Sequence, residues 1–197
     1  MSEKLRYVPI REQSDLKESG VNAVGCVVAV VNREGQVYVV DEVEKGIGRN
    51  LLTETRKEGE FIMDNVRGAL VEEMGVKTED FRDFWYVPGV SYLGRVPFPK
   101  QGLNVQADVV LVAYTGTKNL FSSRNEVKGE GFMNLGQLQV DSKLREETLP
   151  ALELINQSGA IPQLFQSLDE VSLEVFNGHT AEQYYNERLQ KHDLVAK

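Results

Sequence analysis

Apolar residues fall along the chain in runs of changing period. From Ala23 to Val31 nearly every position is apolar and many are β-branched, which predicts a strand buried on both faces. Asn32-Arg33-Glu34-Gly35 reads as a turn into a second strand, Val37–Val40, and so predicts a hairpin. A polar, glycine-containing loop is expected from Glu42 to Asn50. Between Phe61 and Met74 the period lengthens: Ile62, Val66, Leu70 and Met74 recur at every fourth position, the stripe of an amphipathic helix, and Gly75 is placed to end it. Strand patterns return over Asp83–Leu93 and Leu103–Thr115, separated by Gly94–Gly102 with Pro97 and Pro99, and a shorter strand is expected over Glu126–Leu135. The rest reads as helical. Thr148 is placed to cap a helix that begins at Leu149-Pro150. Leu164, Leu168, Val171 and Val175 mark another, closed by Asn177-Gly178, and Thr180 with Gln183 opens a last one through Leu189. This order predicts an α+β fold or a layered α/β/α sandwich.

Composition narrows the partners. The chain has 197 residues, long enough for one domain with an appendage, and carries 30 acidic against 22 basic residues, a net charge of -8. A field of that sign repels nucleic acid and anionic membranes, so neither is an expected partner, and phosphate chemistry on such a protein calls for a divalent cation. Cys26 is the sole cysteine, which precludes an internal disulfide and fits a small core residue in a reducing compartment. The longest apolar runs, Cys26–Val31 and Val109–Tyr114, are too short to span a bilayer, and Met1-Ser2-Glu3-Lys4 opens without a signal-peptide core. A cytoplasmic protein is expected.

The segment with chemistry in it is GEFIMDNVRGALVEEMGV, from Gly59 to Val76. Glu72 and Glu73 are adjacent near the helix end, and Glu60 stands at its entrance. Neighbouring carboxylates repel one another unless a cation holds them; the bland alternative is a solvated helix face. A carboxylate at position 69 would lie on the same side of the helix, but the residue there is Ala69.

This segment resembles the Nudix box, G-x5-E-x7-R-E-U-x-E-E-x-G-U with U aliphatic. Glu60 falls on its first glutamate, Leu70 on its first aliphatic position, Glu72-Glu73 on its glutamate pair, and Gly75-Val76 on its close. Three positions depart from it: Glu54 stands for the first glycine, Gly68 for the arginine and Ala69 for the glutamate that follows it. The resemblance runs over roughly residues 21–155 and implies a Nudix-like α/β/α sandwich with a mixed sheet and additional C-terminal helices. We therefore read 1–20 as an N-terminal extension, 21–158 as the Nudix-like domain, and 159–197 as a helical appendage packed on that domain, with a homodimer surface as its other use.

The resemblance implies a pyrophosphohydrolase that uses Mg2+ (or Mn2+) to cleave a diphosphate bond in a nucleotide sugar such as ADP-ribose or in a dinucleoside polyphosphate. Glu72 and Glu73 would be the principal metal ligands, with Glu60 assisting. Glu126, six residues before Phe132, is the candidate base or supplementary ligand; its other reading is a strand-end surface charge. Glu54, Arg56, Trp85 and Tyr92 are the candidate substrate contacts. Pro88-Gly89-Val90-Ser91 is similar to a segment in enzymes acting on ADP-ribose, and Tyr92 lies near where dinucleoside polyphosphate hydrolases carry a tyrosine. Gly68 and Ala69 leave a second reading open, a catalytically impaired nucleotide-binding or regulatory module.

Overall fold

The computed structural model describes residues 20–42, 48–56, 60, 62–87, 89–98, 102–118 and 127–170. Eight strands form one mixed sheet: β1 (Ala23–Val31), β2 (Val37–Glu42), β3 (Arg49–Asn50), β4 (Leu52–Thr55), β5 (Phe84–Trp85), β6 (Tyr92–Pro97), β7 (Val105–Tyr114) and β8 (Val127–Met133). The helices are α1 (Ile62–Glu72), α2 (Leu135–Gln139), α3 (Leu149–Ser158) and α4 (Ala160–Glu170). The sheet runs β3-β2-β1-β7-β5, with β4 also paired to β1, β6 to β7 and β8 to β2. At its centre β1 and β7 lie parallel in continuous register from Ala23↔Val105 to Val31↔Ala113.

That pair explains the unbroken apolar runs, because both faces of the sheet are covered. Cys26, Val28, Val30, Val110, Val112 and Tyr114 face Val66, Ala69, Leu70 and Met74 around α1. Val27, Ala29, Val31, Val109, Leu111 and Ala113 face Ala151, Leu152 and Ile155 of α3 and Leu164 of α4. Each fully buried Val or Leu contributes roughly 1.5–3 kcal/mol of transfer free energy, so the two layers hold the sandwich together. The fold class is therefore α+β, an α/β/α sandwich on a mixed sheet. Among the described residues no helix is long and apolar enough to cross a membrane.

Several elements differ from the sequence pattern. The strand expected over Asp83–Leu93 is broken up: Thr78–Asp83 is a 3-10 turn, β5 holds only two residues, and Val87–Ser91 is a closed turn in which the Ser91 hydroxyl accepts the Val87 N–H at 2.8 Å. β6 then runs through the segment expected to be a loop. Gly94, which reads as a strand breaker, sits instead in a bulge with φ +132°. The loop expected over Glu42–Asn50 ends in β3. Thr148 does not cap α3; its hydroxyl is hydrogen-bonded to Asn50 Oδ1, tying the helix entrance to β3. Gly75 does end α1. It takes φ +69°, and the Val76 N–H reaches back to the Leu70 carbonyl at 2.9 Å. Helical expectations beyond residue 170 lie outside the described residues.

The segment between α2 and α3 is latched to β3. The Arg49 N–H donates to the Lys143 carbonyl at 2.7 Å, the Arg145 N–H donates to the Arg49 carbonyl at 3.0 Å, and the Arg49 guanidinium pairs with Asp141. The Lys143 N–H and then Arg49 hold the Asp141 carboxyl below the ordinary carboxylate value. A depressed folded-state pKa means that the carboxylate's contribution to stability is complete above about pH 4 and fades as pH falls through the folded value. Asp141→Asn is therefore expected to lower the urea midpoint at pH 7, with the gap to wild type closing below about pH 4. A gap that stays constant down to pH 3 would remove the carboxylate charge from the latch.

Candidate functional site

The site is assembled on the α1 face of the sheet, where one rung crosses four strands. Glu54 of β4 pairs with Cys26 of β1, Cys26 with Asp108 of β7, and Asp108 with Arg95 of β6. Residues in register share a face, so all four side chains project toward the α1 layer. Asp108 is fully buried. A carboxylate there requires compensation, and it has four donors. Tyr92 Oη and Arg95 Nε donate to its Oδ1 at 3.0 Å each, and Arg95 and Arg56 guanidinium nitrogens donate to its Oδ2. The side-on grip of Arg95 is the bidentate geometry that makes an arginine–carboxylate pair strong.

The bulge in β6 is what brings Tyr92 into this cluster. Residues 92 and 95 are an odd number apart and would face opposite sides of a regular strand. Tyr92 is registered with Val110, Gly94 with Val109 and Arg95 with Asp108, so Leu93 is the extra residue and both Tyr92 and Arg95 turn to one face. Burial, then the Asp108 charge and the hydrogen bond to it, push the Tyr92 phenol up from its usual value, so it remains a donor at neutral pH.

On its other side the cluster reaches the start of α1. Arg56 is buried at the end of β4, and its Nε donates to Asn65 Oδ1 at 3.3 Å. Asn65 Nδ2 in turn donates to Glu60 Oε2 at 3.0 Å. Glu60 is thus a buried member of the network at the helix entrance, joined through Asn65 to Arg56. Asn65 and Glu73 lie eight residues apart, which at helical rise is about 12 Å. Cys26, beside Asp108, is held as a thiol, because burial and then the Asp108 charge push its pKa up. It is a core residue and not a nucleophile.

At the far end of α1, Glu73 is oriented by β4. The Thr53 N–H donates to its Oε2 at 2.8 Å and the Thr53 hydroxyl to its Oε1 at 3.3 Å. Glu72 is half-buried beside it. Ala69 is wholly buried in the core and Gly68 is buried as well, so no carboxylate accompanies the pair from that turn. No group of three or more His, Cys, Asp or Glu side chains among the described residues is arranged to hold a metal ion by itself. Magnesium, however, keeps several waters and is commonly held by one or two carboxylates together with substrate phosphates. The pair Glu72–Glu73, with Glu73 fixed by Thr53, fits a magnesium ion shared with a bound diphosphate and does not fit one caged by protein alone.

The remaining candidates are spread more widely. Trp85 lies on the opposite face, paired with Ala113, packed against the α3–α4 layer and donating from Nε1 to Thr115 Oγ1 at 3.0 Å. Glu54 is half-buried on the Asp108 rung. Glu126 lies outside the described residues. Asp108, Arg95, Asn65 and Thr53 were not singled out from the sequence. The signal available for Asp108 was a lone carboxylate inside the apolar run VQADVVLVAY.

Solved structures of the same architecture supply the comparison. A Nudix hydrolase from Nitrosomonas europaea aligns over 70% of this chain and 90% of its own length, with TM-score 0.55 and 12% identity. An Ap4A hydrolase from C. elegans aligns over 68% and 96%, with TM-score 0.55 and 9% identity. A UDP-X diphosphatase aligns over 80% and 73%, with TM-score 0.53 and 17% identity. The chain has the Nudix hydrolase fold. No family model and no curated protein sequence matches it.

Within that Nudix fold, the Asp108 cluster is a testable structural unit. Removing one partner of a buried ion pair typically costs about 3–5 kcal/mol. Because Arg95 and Tyr92 still hold Asp108 afterwards, Arg56→Met is expected at the lower end, about 3 kcal/mol by urea unfolding. A loss below about 1 kcal/mol, the range of an exposed pair, would mean that the cluster is not the buried network described.

Proposed function

We propose that this chain is a divalent-metal-dependent hydrolase that cleaves the diphosphate bond of a nucleoside diphosphate derivative, a nucleotide sugar or a dinucleoside polyphosphate. The observation that carries the reading is the Glu72–Glu73 pair at the end of α1, with the Glu73 carboxylate held by both the N–H and the hydroxyl of Thr53. The shared fold with Nudix hydrolases, an Ap4A hydrolase and a UDP-X diphosphatase among them, supports the reaction class and both substrate types.

A Mg2+ or Mn2+ ion bound there would offset diphosphate charge and lower the pKa of a coordinated water. The chain's own part is to fix two carboxylates in advance. Thr53 holds Glu73 in one orientation, so little reorganisation is needed when a charged ligand arrives. Gly75, in its left-handed conformation, stops the helix directly after the pair and keeps both residues at its end. Glu126 is the proposed base or further ligand, with Glu54, Arg56 and Tyr92 as contacts beyond the diphosphate. The assignment of 159–197 as an appendage to the same domain, a soluble cytoplasmic setting and a homodimer through the C-terminal helix are part of the same proposal.

A second reading is favoured by a specific observation: Ala69 is packed in the core where the Nudix box carries a glutamate. On that reading the chain binds a nucleotide without turning it over. A panel of nucleotide sugars, dinucleoside polyphosphates and nucleoside triphosphates, assayed with Mg2+ and with Mn2+, separates the two. Turnover of at least one diphosphate-linked compound is expected, falling by more than about a hundredfold in Glu72→Gln with Glu73→Gln. No turnover of any member by the wild-type chain would overturn the hydrolase reading in favour of the binding module.

A further inference from the structure

From Ile62 to Met74, α1 and the residues that end it have no exposed position; every one is buried or half-buried. A helix laid on one face of a sheet ordinarily keeps a polar, solvated side away from it. Here Val66, Ala69 and Leu70 face the sheet core. Gly68 is two residues from both Val66 and Leu70, about 200° around the helix from each, so it looks away from the sheet. It is buried nonetheless. Val71, one turn further on the same side, is 1% exposed, and the flanking Asp64 and Arg67 side chains are 19% and 15% exposed. The main described neighbours of α1 are β1 and β4, both strands of the sheet. They account for the inward side and give no reason for a glycine on the outward one. A mid-helix glycine is suited to a backbone lying close across it, where any side chain would intrude.

We propose that residues 1–19 lie along the outward side of α1, over Gly68 and Val71, as an intramolecular strap. The place where that segment joins the domain favours it. Asn22 and Asn104 exchange hydrogen bonds at 2.7 Å, and Asn104 Nδ2 donates to the Gly20 carbonyl at 3.1 Å, which fixes the chain at the start of β1. That end of β1 is also where α1 begins: the Arg56 N–H donates to the Val24 carbonyl at 3.1 Å, and Arg56 Nε donates to Asn65. Extended, 19 residues reach about 60 Å, and α1 is about 16 Å long. Leu5, Tyr7, Val8 and Ile10 supply apolar side chains for Val71. Residues after 170 start from the far side of the sheet, where Leu164 and Leu168 of α4 pack. The strap holds α1 down onto the sheet just before Glu72 and Glu73, and it does not depend on what those carboxylates bind.

The test is the rate at which Val71→Cys reacts with a small thiol reagent; Cys26 is wholly buried and serves as the unreactive reference. Labelling is expected to be slow in the full chain and at least tenfold faster once residues 2–19 are deleted, with a cooperative thermal melt above the labelling temperature excluding global unfolding. Leu5→Asp with Tyr7→Asp and Ile10→Asp keeps the chain length and is expected to act like the deletion, so a truncated chain that does not fold leaves the test intact. Unchanged labelling in these variants would overturn the strap, as would acceleration produced only by deleting 171–197. Gly68→Ala supplies a second readout. Alanine is the better helix former and raises the melting temperature at an uncovered position, whereas beneath a close-lying segment its methyl lowers it. A lower melting temperature in the full chain and a higher one in the chain lacking 2–19 is expected; a rise in both would overturn the proposal.

Discussion

A carboxylate with no exposure, set in the middle of the central parallel strand pair, constrains much of what surrounds it. Asp108 cannot be ionised there without compensation, because desolvating an unpaired charge costs several kcal/mol. Its four donors come from three separate places: Arg56 at the end of β4, and Tyr92 and Arg95 on either side of a bulge in β6. Satisfying one side chain therefore fixes where β4 ends and how β6 is phased. Through Arg56, Asn65 and Glu60 it also fixes how the chain enters α1.

The two ends of α1 are consequently different in kind. At its start, Arg56, Asn65 and Glu60 are joined in a buried hydrogen-bonded network. At its end, Glu72 and Glu73 sit together, and Glu73 is gripped by Thr53. The loss of a carboxylate at position 69 fits the packing, since Ala69 is part of the core. Gly68 costs about 1 kcal/mol of helix stability relative to alanine, and nothing in the structure explains it. On the proposed reading, two carboxylates instead of three would leave a magnesium ion dependent on phosphate oxygens supplied by the ligand, which would couple metal binding to ligand binding.

How much of this is legible in the sequence depends on the range of the interaction. β1 was legible to the residue, because burial on both faces leaves an unbroken apolar run. So was α1, through its four-residue stripe and the glycine that ends it. β6 was not, since Gly94 and the nearby prolines carry the same signature in a loop as in a bulged edge strand. The Glu72–Glu73 pair, the proposed metal position, stands out because its two members are adjacent in sequence. The placement of Glu60 was not legible, because its partner Asn65 answers to Arg56, which answers to Asp108, 52 residues further on. Trp85 had the chemistry of a stacking residue, but the two-residue strand it lies on turns it to the opposite face.

The proposed divalent ion, shared with a diphosphate, would sit at Glu72 and Glu73, away from the Asp108 cluster. Paramagnetic broadening of backbone amide resonances by Mn2+, recorded with a non-hydrolysable nucleoside diphosphate analogue, tests it directly. Broadening centred on Thr53, Glu72 and Glu73, and weak without the analogue, is the expected result. Broadening centred instead on Glu60 and Asn65, or on the acidic turn at Glu79–Asp83, would contradict it.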